Sequence, residues 1–288
     1  MIIDPKEIPV PKLQNYLQAS ISPRPIAFVS SIDKEGHVNL SPFSFFNMFS
    51  MNPPILVFSP SRRVRNNTTK HTLENVQEVP EVVINMVNYQ MVQQTSLASC
   101  DYPKGVNEFV KAGFTEVKSS LVRPPRVGES HVSFECKVNQ VISLGIEGGA
   151  GNLVVCEVLL IHIDDFVLDE QGRIDPNKMD SVARMGNDYY CRAHGEAVFT
   201  VHKPNEKIGI GIDAIPEHIR YSKVLTGNDL GMLGNIEKLP DSESVKQFKL
   251  GNQLAETSAL DVDKKHQLAQ RFLAEGNVEA AWMVLLRF

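Results

Sequence analysis

Residues 133–166 read SFECKVNQVISLGIEGGAGNLVVCEVLLIHIDDF, and this stretch decides the fold. Two runs rich in apolar and β-branched residues, 133–144 and 153–166, flank the glycine-rich segment EGGAGN at 147–152. This pattern predicts two long strands joined by a hairpin turn. Strands joined by a short turn run antiparallel, so we expect an antiparallel sheet.

More strands are predicted upstream of this hairpin. Their ranges are 25–32, 37–41, 55–59 and 82–87. The aromatic-rich segment 43–49 is interpreted as irregular. Long strands with short turns and few intervening helices favour an antiparallel barrel or sandwich over a doubly wound parallel sheet. No GxGxxG motif follows a strand, so a Rossmann dinucleotide site is not supported.

Helical patterns are confined to a few segments. Residues 61–80 change from basic to amphipathic, which predicts a loop and then a helix capped by Thr69 or Thr72. We expect a domain over 1–204 and a helical C-terminal extension over 205–288, with one helix at 216–225 and two or three amphipathic helices over 242–286. The apolar positions with helical spacing in the last range are Val245, Phe248, Leu254, Leu268, Phe272, Ala280 and Val284.

The composition excludes several classes of protein. The chain has 288 residues, a net charge of −5 and 42% hydrophobic residues, which is ordinary for a globular protein and unlike a nucleic-acid binder. No apolar run reaches the roughly 18 residues that a membrane span needs. The four cysteines lack metal-site spacing, so we expect free thiols, no metal, no membrane partner and a cytoplasmic location.

The basic segment 62–72, RRVRNNTTKHT, is a candidate anion site. It places three arginines, a lysine and threonine hydroxyls around a predicted helix start, where free N–H groups and the helix dipole favour a phosphate. A solvated basic loop is the alternative.

The segment 39–47, NLSPFSFFN, mixes small hydroxyl side chains with aromatic residues. A flat heteroaromatic ligand needs an apolar wall with a few placed donors and acceptors at its rim. The alternative is a core loop whose phenylalanines fill the interior.

These segments together resemble the flavin-reductase-like family of FMN-binding split barrels. The resemblance rests on SPRPIAFVSSIDKEGHVNLSPFSFFNMFSMNPPILVFSP (22–60), KHTLENV, VVINMVN, VGESHVSFECKVNQVISLG, CEVLLIHIDDFVL and ARMGNDYYCR, in that order over roughly residues 5–200. It implies a mainly β fold with α elements, an antiparallel Greek-key split barrel, bound FMN and a homodimer. It also implies NAD(P)H as co-substrate.

The resemblance assigns residues to the flavin. It implies that the ring and ribityl side is formed by Ser30, Asn39, Ser41, Pro42, Phe43 and Ser44. It implies that the ribityl and phosphate side is formed by Ser59, Arg62, Arg63, Lys70 and Thr72. His71 stands where similar proteins often have Asp, which leaves the phosphate side less well matched than the ring side.

Hydride transfer to a flavin needs no catalytic side chain, because the cofactors carry the chemistry. Arg24, His162 and His194 are candidates for contact with flavin or nicotinamide, although a strand histidine such as His162 is also explained by a structural role. We therefore expect an NAD(P)H:FMN oxidoreductase that hands electrons to a monooxygenase or another acceptor. A non-catalytic flavin-binding module and a pyridoxamine-phosphate-oxidase-like enzyme are the alternatives.

Overall fold

The computed structural model describes residues 1–202, 204, 208–251 and 260–286. The chain divides into two compact units, Met1–Phe199 and Thr200–Phe288. No helix within the described ranges is long and apolar enough to cross a membrane.

The first unit is built on one seven-stranded sheet in which every pairing is antiparallel, as the sequence predicts. Its order is β2-β1-β5-β8-β9-β4-β3. The strands are β1 (Ala27–Ile32), β2 (Val38–Phe43), β3 (Phe46–Met51), β4 (Pro54–Phe58), β5 (Glu81–Met86), β6 (Glu116–Val117), β7 (Arg126–Val127), β8 (Val132–Ser143), β9 (Asn152–Ile163), β10 (Val182–Arg184) and β11 (Tyr190–Arg192). Strands β6 and β7, and β10 and β11, form two separate ribbons.

Helices flank this sheet and form the second unit. Those of the first unit are α1 (Val10–Ser20), α2 (His71–Glu78), α3 (Val92–Leu97), α4 (Glu108–Ala112) and α5 (Pro176–Met179). Those of the second unit are α6 (Glu217–Arg220), α7 (Gly227–Gly234), α8 (Ser242–Gly251), α9 (Val262–Ala274) and α10 (Val278–Leu285).

Strand β1 is buried along its whole length because it contributes to two cores. Ala27 and Val29 lie in the cluster that also contains Phe43 and Phe58, whereas Phe28 lies in a second cluster with Leu40. Successive side chains of a strand point to opposite faces, so a strand covered on both faces has an almost continuous apolar sequence.

Three local predictions were wrong. Residues 43–49 are not irregular, since β3 pairs with β4, and a shift of register between Met48 and Ser50 hides the alternation that identifies a strand. The helix expected over 216–225 is a single turn, α6. Neither Thr69 nor Thr72 caps α2, whose N-cap residue is Lys70.

The C-terminal unit has its own apolar core, which includes Leu233, Leu273 and Trp282. Among the described residues, α8, α9 and α10 lie in the range in which two or three amphipathic helices were predicted. Helix α10 is apolar rather than amphipathic, since residues 280–285 are all buried. Leu254, one of the predicted apolar positions, lies outside the described residues. The segments around Gly209 and Gly234 approach so closely that a Cβ on Gly209 would lie 2.6 Å from the Gly234 carbonyl oxygen.

Candidate functional site

The basic loop between β4 and α2 is braced by the β8–β9 hairpin turn. The Arg62 N–H donates to the Ala150 carbonyl at 2.8 Å, and the Gly149 N–H donates to the Arg62 carbonyl at 3.0 Å. Gly149 has a φ of +93°, a conformation that a residue with a Cβ rarely adopts. The glycine-rich turn that identifies the hairpin in the sequence therefore also fixes the loop that carries the arginines.

Adjacent arginines in this loop have different tasks. The Arg62 guanidinium donates to the side-chain and main-chain oxygens of Asn67, both at 2.6 Å, and so holds the loop to itself. The Arg63 guanidinium donates to Thr68 Oγ1 at 3.0 Å and to the Asp101 carboxylate. The structure thus separates a bracing arginine from one that faces an anion.

Asp101 lies at the centre of a group of three cations. Its Oδ1 accepts from Arg63 Nε at 2.9 Å and from Arg63 Nη2 at 2.6 Å, and it lies 3.8 Å from Lys70 Nζ. Arg65 Nη2 donates to Oδ2. The hydrogen bonds from Arg63 hold the pKa of Asp101 below its ordinary value. We call Arg63, Arg65 and Lys70 the cationic cluster.

The cationic cluster lies at the beginning of α2. Burial, and then the charge of Arg63, lower the pKa of Lys70, and burial lowers the pKa of the neighbouring His71. The charge of Arg63 contributes to both shifts, so the basic side chains here repel further positive charge. An anion is favoured for the same reason, and the first N–H groups of the helix add to that preference.

Strand β2 contributes the polar side chains closest to this helix start. Asn39 Nδ2 donates to Thr72 Oγ1 at 2.9 Å, and both residues are buried. Asn39 and Ser41 line one narrow cleft with Arg63, Lys70 and Thr72. The structure therefore brings residues from both candidate segments, 39–47 and 62–72, together.

The rest of the ring-side segment divides between the core and the surface of the cleft. The Phe43 side chain is 7% exposed and packs on Phe58, with their ring centroids 5.3 Å apart, so this side chain belongs to the core. Pro42 and Ser44 are half-buried.

Three predicted ligand contacts use their polar groups within the fold. Ser30 Oγ donates to the Pro125 carbonyl at 2.5 Å. Ser59 Oγ accepts from the Asn152 N–H at 3.1 Å. Arg24 donates to the Gln18, Ile21 and Met185 carbonyls, which fastens the end of α1. These contacts favour structural roles, because the Ser30 hydroxyl, the Ser59 oxygen and the terminal nitrogens of Arg24 bind main-chain groups of the fold.

The two candidate histidines lie away from the cleft. His162 Nε2 lies 2.6 Å from Glu135 Oε1, and Glu135 is fully buried. Burial alone raises the pKa of Glu135, but backbone N–H groups and His162 bind the carboxylate and bring its pKa below the ordinary value. His194 Nδ1 lies 3.6 Å from Asp180, which also pairs with Arg192.

The sequence pattern did not reveal two acidic residues of the cleft. Asp101 and Glu108 both line it. The Glu108 carboxylate accepts from the Leu40 N–H at 2.8 Å, and burial raises the pKa of Glu108. Neither belongs to a recognisable motif, and both reach the cleft from the segment after α3. Arg65 belongs to the basic segment 62–72 of the sequence, whereas its partner Asp101 lies outside that segment.

The sequence model of the family described as "flavin reductase like domain" matches residues 19–176, more than half of the chain. The chain belongs to this family. An uncharacterised protein of Aquifex aeolicus is 37% identical over 196 residues, which cover 68% of this chain and 97% of that protein. An uncharacterised protein of Halalkalibacterium halodurans is 35% identical and covers 66% of this chain and 91% of its own.

Solved structures agree with the family. Nitrilotriacetate monooxygenase component B from Bacillus cereus is 28% identical, with a TM-score of 0.65 over 70% of this chain and 98% of that chain. The 2-nitrobenzoate 2-nitroreductase of Pseudomonas fluorescens is 26% identical, with a TM-score of 0.62 over 70% and 96%. A Shewanella frigidimarina structure assigned as a flavin reductase with a split barrel domain is 24% identical, with a TM-score of 0.59 over 70% and 100%, and it shows the fold. The expected split barrel is confirmed, and the family's function is flavin-linked redox chemistry.

Proposed function

We propose that this protein binds FMN in the cleft between β2 and the start of α2 and uses it to accept hydride from NADH or NADPH. The observation that carries the proposal is the cationic cluster, which already holds a carboxylate beside Asn39 and Ser41. In a chain of the flavin reductase like family, that arrangement fits the phosphate and ribityl groups of a flavin nucleotide.

The donor set fits a phosphate. Arg63 presents two N–H donors to the Asp101 carboxylate, and Lys70 adds a second half-buried charge. Arginine forks match carboxylate and phosphate oxygens alike, and such charge-assisted hydrogen bonds are among the stronger ones in proteins. The Asp101 carboxylate thus occupies a position in which these cations stabilise an anion.

The protein's own residues have positioning tasks in this proposal. Arg63 and Lys70 bind the phosphate, while Asn39 and Ser41 orient the polar edge of the ligand next to the apolar side chains of the sheet. Bound flavin supplies the hydride acceptor. The chain therefore needs no nucleophile or general acid, and its contribution to rate is orientation and exclusion of water.

We also propose that the first unit forms a homodimer. Strand β3 leaves Met48, Phe49 and Met51 59–81% exposed, and the end of β9 leaves Ile161 50% and Ile163 41% exposed. Exposed patches of large apolar side chains, here on the edge strand β3 and at the end of β9 beyond its pairing with β4, mark interaction surfaces. A second copy of the chain is the partner that the family resemblance implies.

A monooxygenase or another acceptor is proposed to take the electrons. Nitrilotriacetate monooxygenase component B, one of the similar structures, is named as part of a monooxygenase, and this supports an electron-transfer partner.

The proposal is tested by loading purified protein with FMN and mixing it anaerobically with NADH or NADPH. We expect the flavin absorbance to bleach with one or both, and gel filtration then shows whether reduced flavin leaves. Failure to bind FMN overturns the proposal. Bound FMN that neither nicotinamide bleaches indicates a flavin-binding module instead, and turnover of pyridoxamine phosphate in its place indicates the oxidase-like alternative.

A further inference from the structure

Asp101 occupies the position in which the cationic cluster would bind a phosphate. Both of its carboxylate oxygens are engaged, Oδ1 by Arg63 and Oδ2 by Arg65. The pKa of Asp101 lies below its ordinary value, so the carboxylate is charged at neutral pH. An internal anion is therefore already bound to the site.

With Asp101 in place, little free space is left among the side chains that line the cleft. The space that Arg63, Lys70, Thr72 and Asp101 help to enclose measures about 20 Å³, which is about the room that one water molecule needs. Asp101 also takes the Arg63 Nε and Nη2 donors, so a phosphate that binds these donors has to displace the Asp101 side chain.

The segment that carries Asp101 is suited to such a displacement. Residues 98–107 connect α3 to α4 without regular structure. A second tie of this segment is the pair between Lys104 Nζ and Glu74 Oε2, at 3.7 Å, with side chains 52% and 36% exposed. Exposed ion pairs contribute little stability, so the Lys104–Glu74 pair adds little resistance to a movement of Asp101.

We propose that Asp101 is an intramolecular competitor for the phosphate of the flavin nucleotide, and that it limits how strongly the protein prefers FMN to riboflavin. This inference rests on the proposed function, since it assumes that the cationic cluster receives the phosphate. A phosphate dianion outcompetes a single carboxylate charge, but it binds less tightly than it would to unoccupied cations. Riboflavin has no phosphate and does not compete with Asp101.

The test compares the full-length wild-type protein with Asp101→Asn, Asp101→Glu and Asp169→Asn. Asp169 pairs with Arg173 at 2.9 Å, and its substitution removes the same charge from a different loop. Dissociation constants for FMN and riboflavin are measured by quenching of flavin fluorescence. We expect D101N to bind FMN about 2- to 5-fold more tightly, the range that exposed ion pairs support. Riboflavin affinity should not change, and D101E and D169N should behave as wild type.

Weaker or unchanged FMN binding by D101N overturns the inference, because Asp101 would then position the arginines or play no part. Tighter binding by D101E, or equal tightening for riboflavin, also overturns it. Inorganic phosphate is the second probe, and it should raise the melting temperature of D101N more than that of wild type. If wild-type protein binds no FMN, the proposed function fails, while the phosphate measurement still decides whether Asp101 competes with an anion.

Discussion

Replacing Arg63 by Gln should weaken FMN binding about 30-fold and leave riboflavin binding nearly unchanged. Arg63 Nε and Nη2 donate to the carboxylate in the anion position at 2.9 and 2.6 Å. A hydrogen bond to a charged group is worth about 1.5–3 kcal/mol, so two would suggest a larger loss. Asp101 loses the same partner, however, and becomes a weaker competitor. After this offset we expect a net loss of about 2 kcal/mol in the free energy of FMN binding, which is about 30-fold in Kd.

Arg62→Gln is the matched control, because it removes the same charge from the adjacent residue. The Arg62 guanidinium is engaged by Asn67, so we expect FMN affinity to fall by less than about threefold, a difference below 1 kcal/mol. Both variants are titrated with FMN and with riboflavin at two salt concentrations. Equal losses in the two variants would refute the division of roles between the arginines. Equal losses for the two flavins in R63Q would show that Arg63 does not contact the phosphate.

Three further predictions concern the fold and the assembly. Glu135→Ala should lower the free energy of unfolding by about 3–5 kcal/mol, because it leaves the N–H groups of residues 120–122 without their charged acceptor, and hydrogen exchange at those amides should accelerate. His162→Ala removes one hydrogen bond to the carboxylate and should cost less, about 1.5–3 kcal/mol. The folded-state pKa of Glu135 is lowered, so the stability that its carboxylate gives the fold is fully present above the unfolded-state pKa and is lost as pH falls through the folded-state pKa. Urea midpoints should therefore drop more steeply below about pH 4 in wild type than in Glu135→Gln. Ile161→Asp should convert the dimer to a monomer in light scattering, whereas Ile174→Asp, at a similarly exposed position, should not; a dimer that survives I161D would exclude this part of β9 from the interface.

Periodicity predicted most of the sheet because its strands are buried on one or both faces. The β8–β9 hairpin follows from two apolar runs around a glycine-rich turn, and both strands were found within two or three residues of the predicted ends. Strand β3 escaped prediction because a register shift at Met48 breaks its alternation. Helix α1 was not predicted either, although Val10, Leu13 and Leu17 recur at helical spacing; its side chains are exposed or half-buried.

The candidate site was predictable only where it is local in sequence. Arg63 and Lys70 lie seven residues apart in one basic segment, and the composition of that segment predicts an anion site. Asp101 lies 38 residues beyond Arg63, and no local pattern relates the two positions. Composition also does not decide which way neighbouring side chains of a loop point. That is why Arg62 and Arg63 looked equivalent in the sequence and differ in the structure.

The single tryptophan and a bound flavin would be two separate optical reporters, one in each unit. Trp282 is 1% exposed in the core of the second unit, where its Nε1 donates to the Leu233 carbonyl at 3.1 Å. Its emission therefore reports on that unit, while bound flavin would report on the first. Indole emission overlaps flavin absorption, so the efficiency of energy transfer from Trp282 to flavin would depend on the distance between the two units and could be followed during turnover.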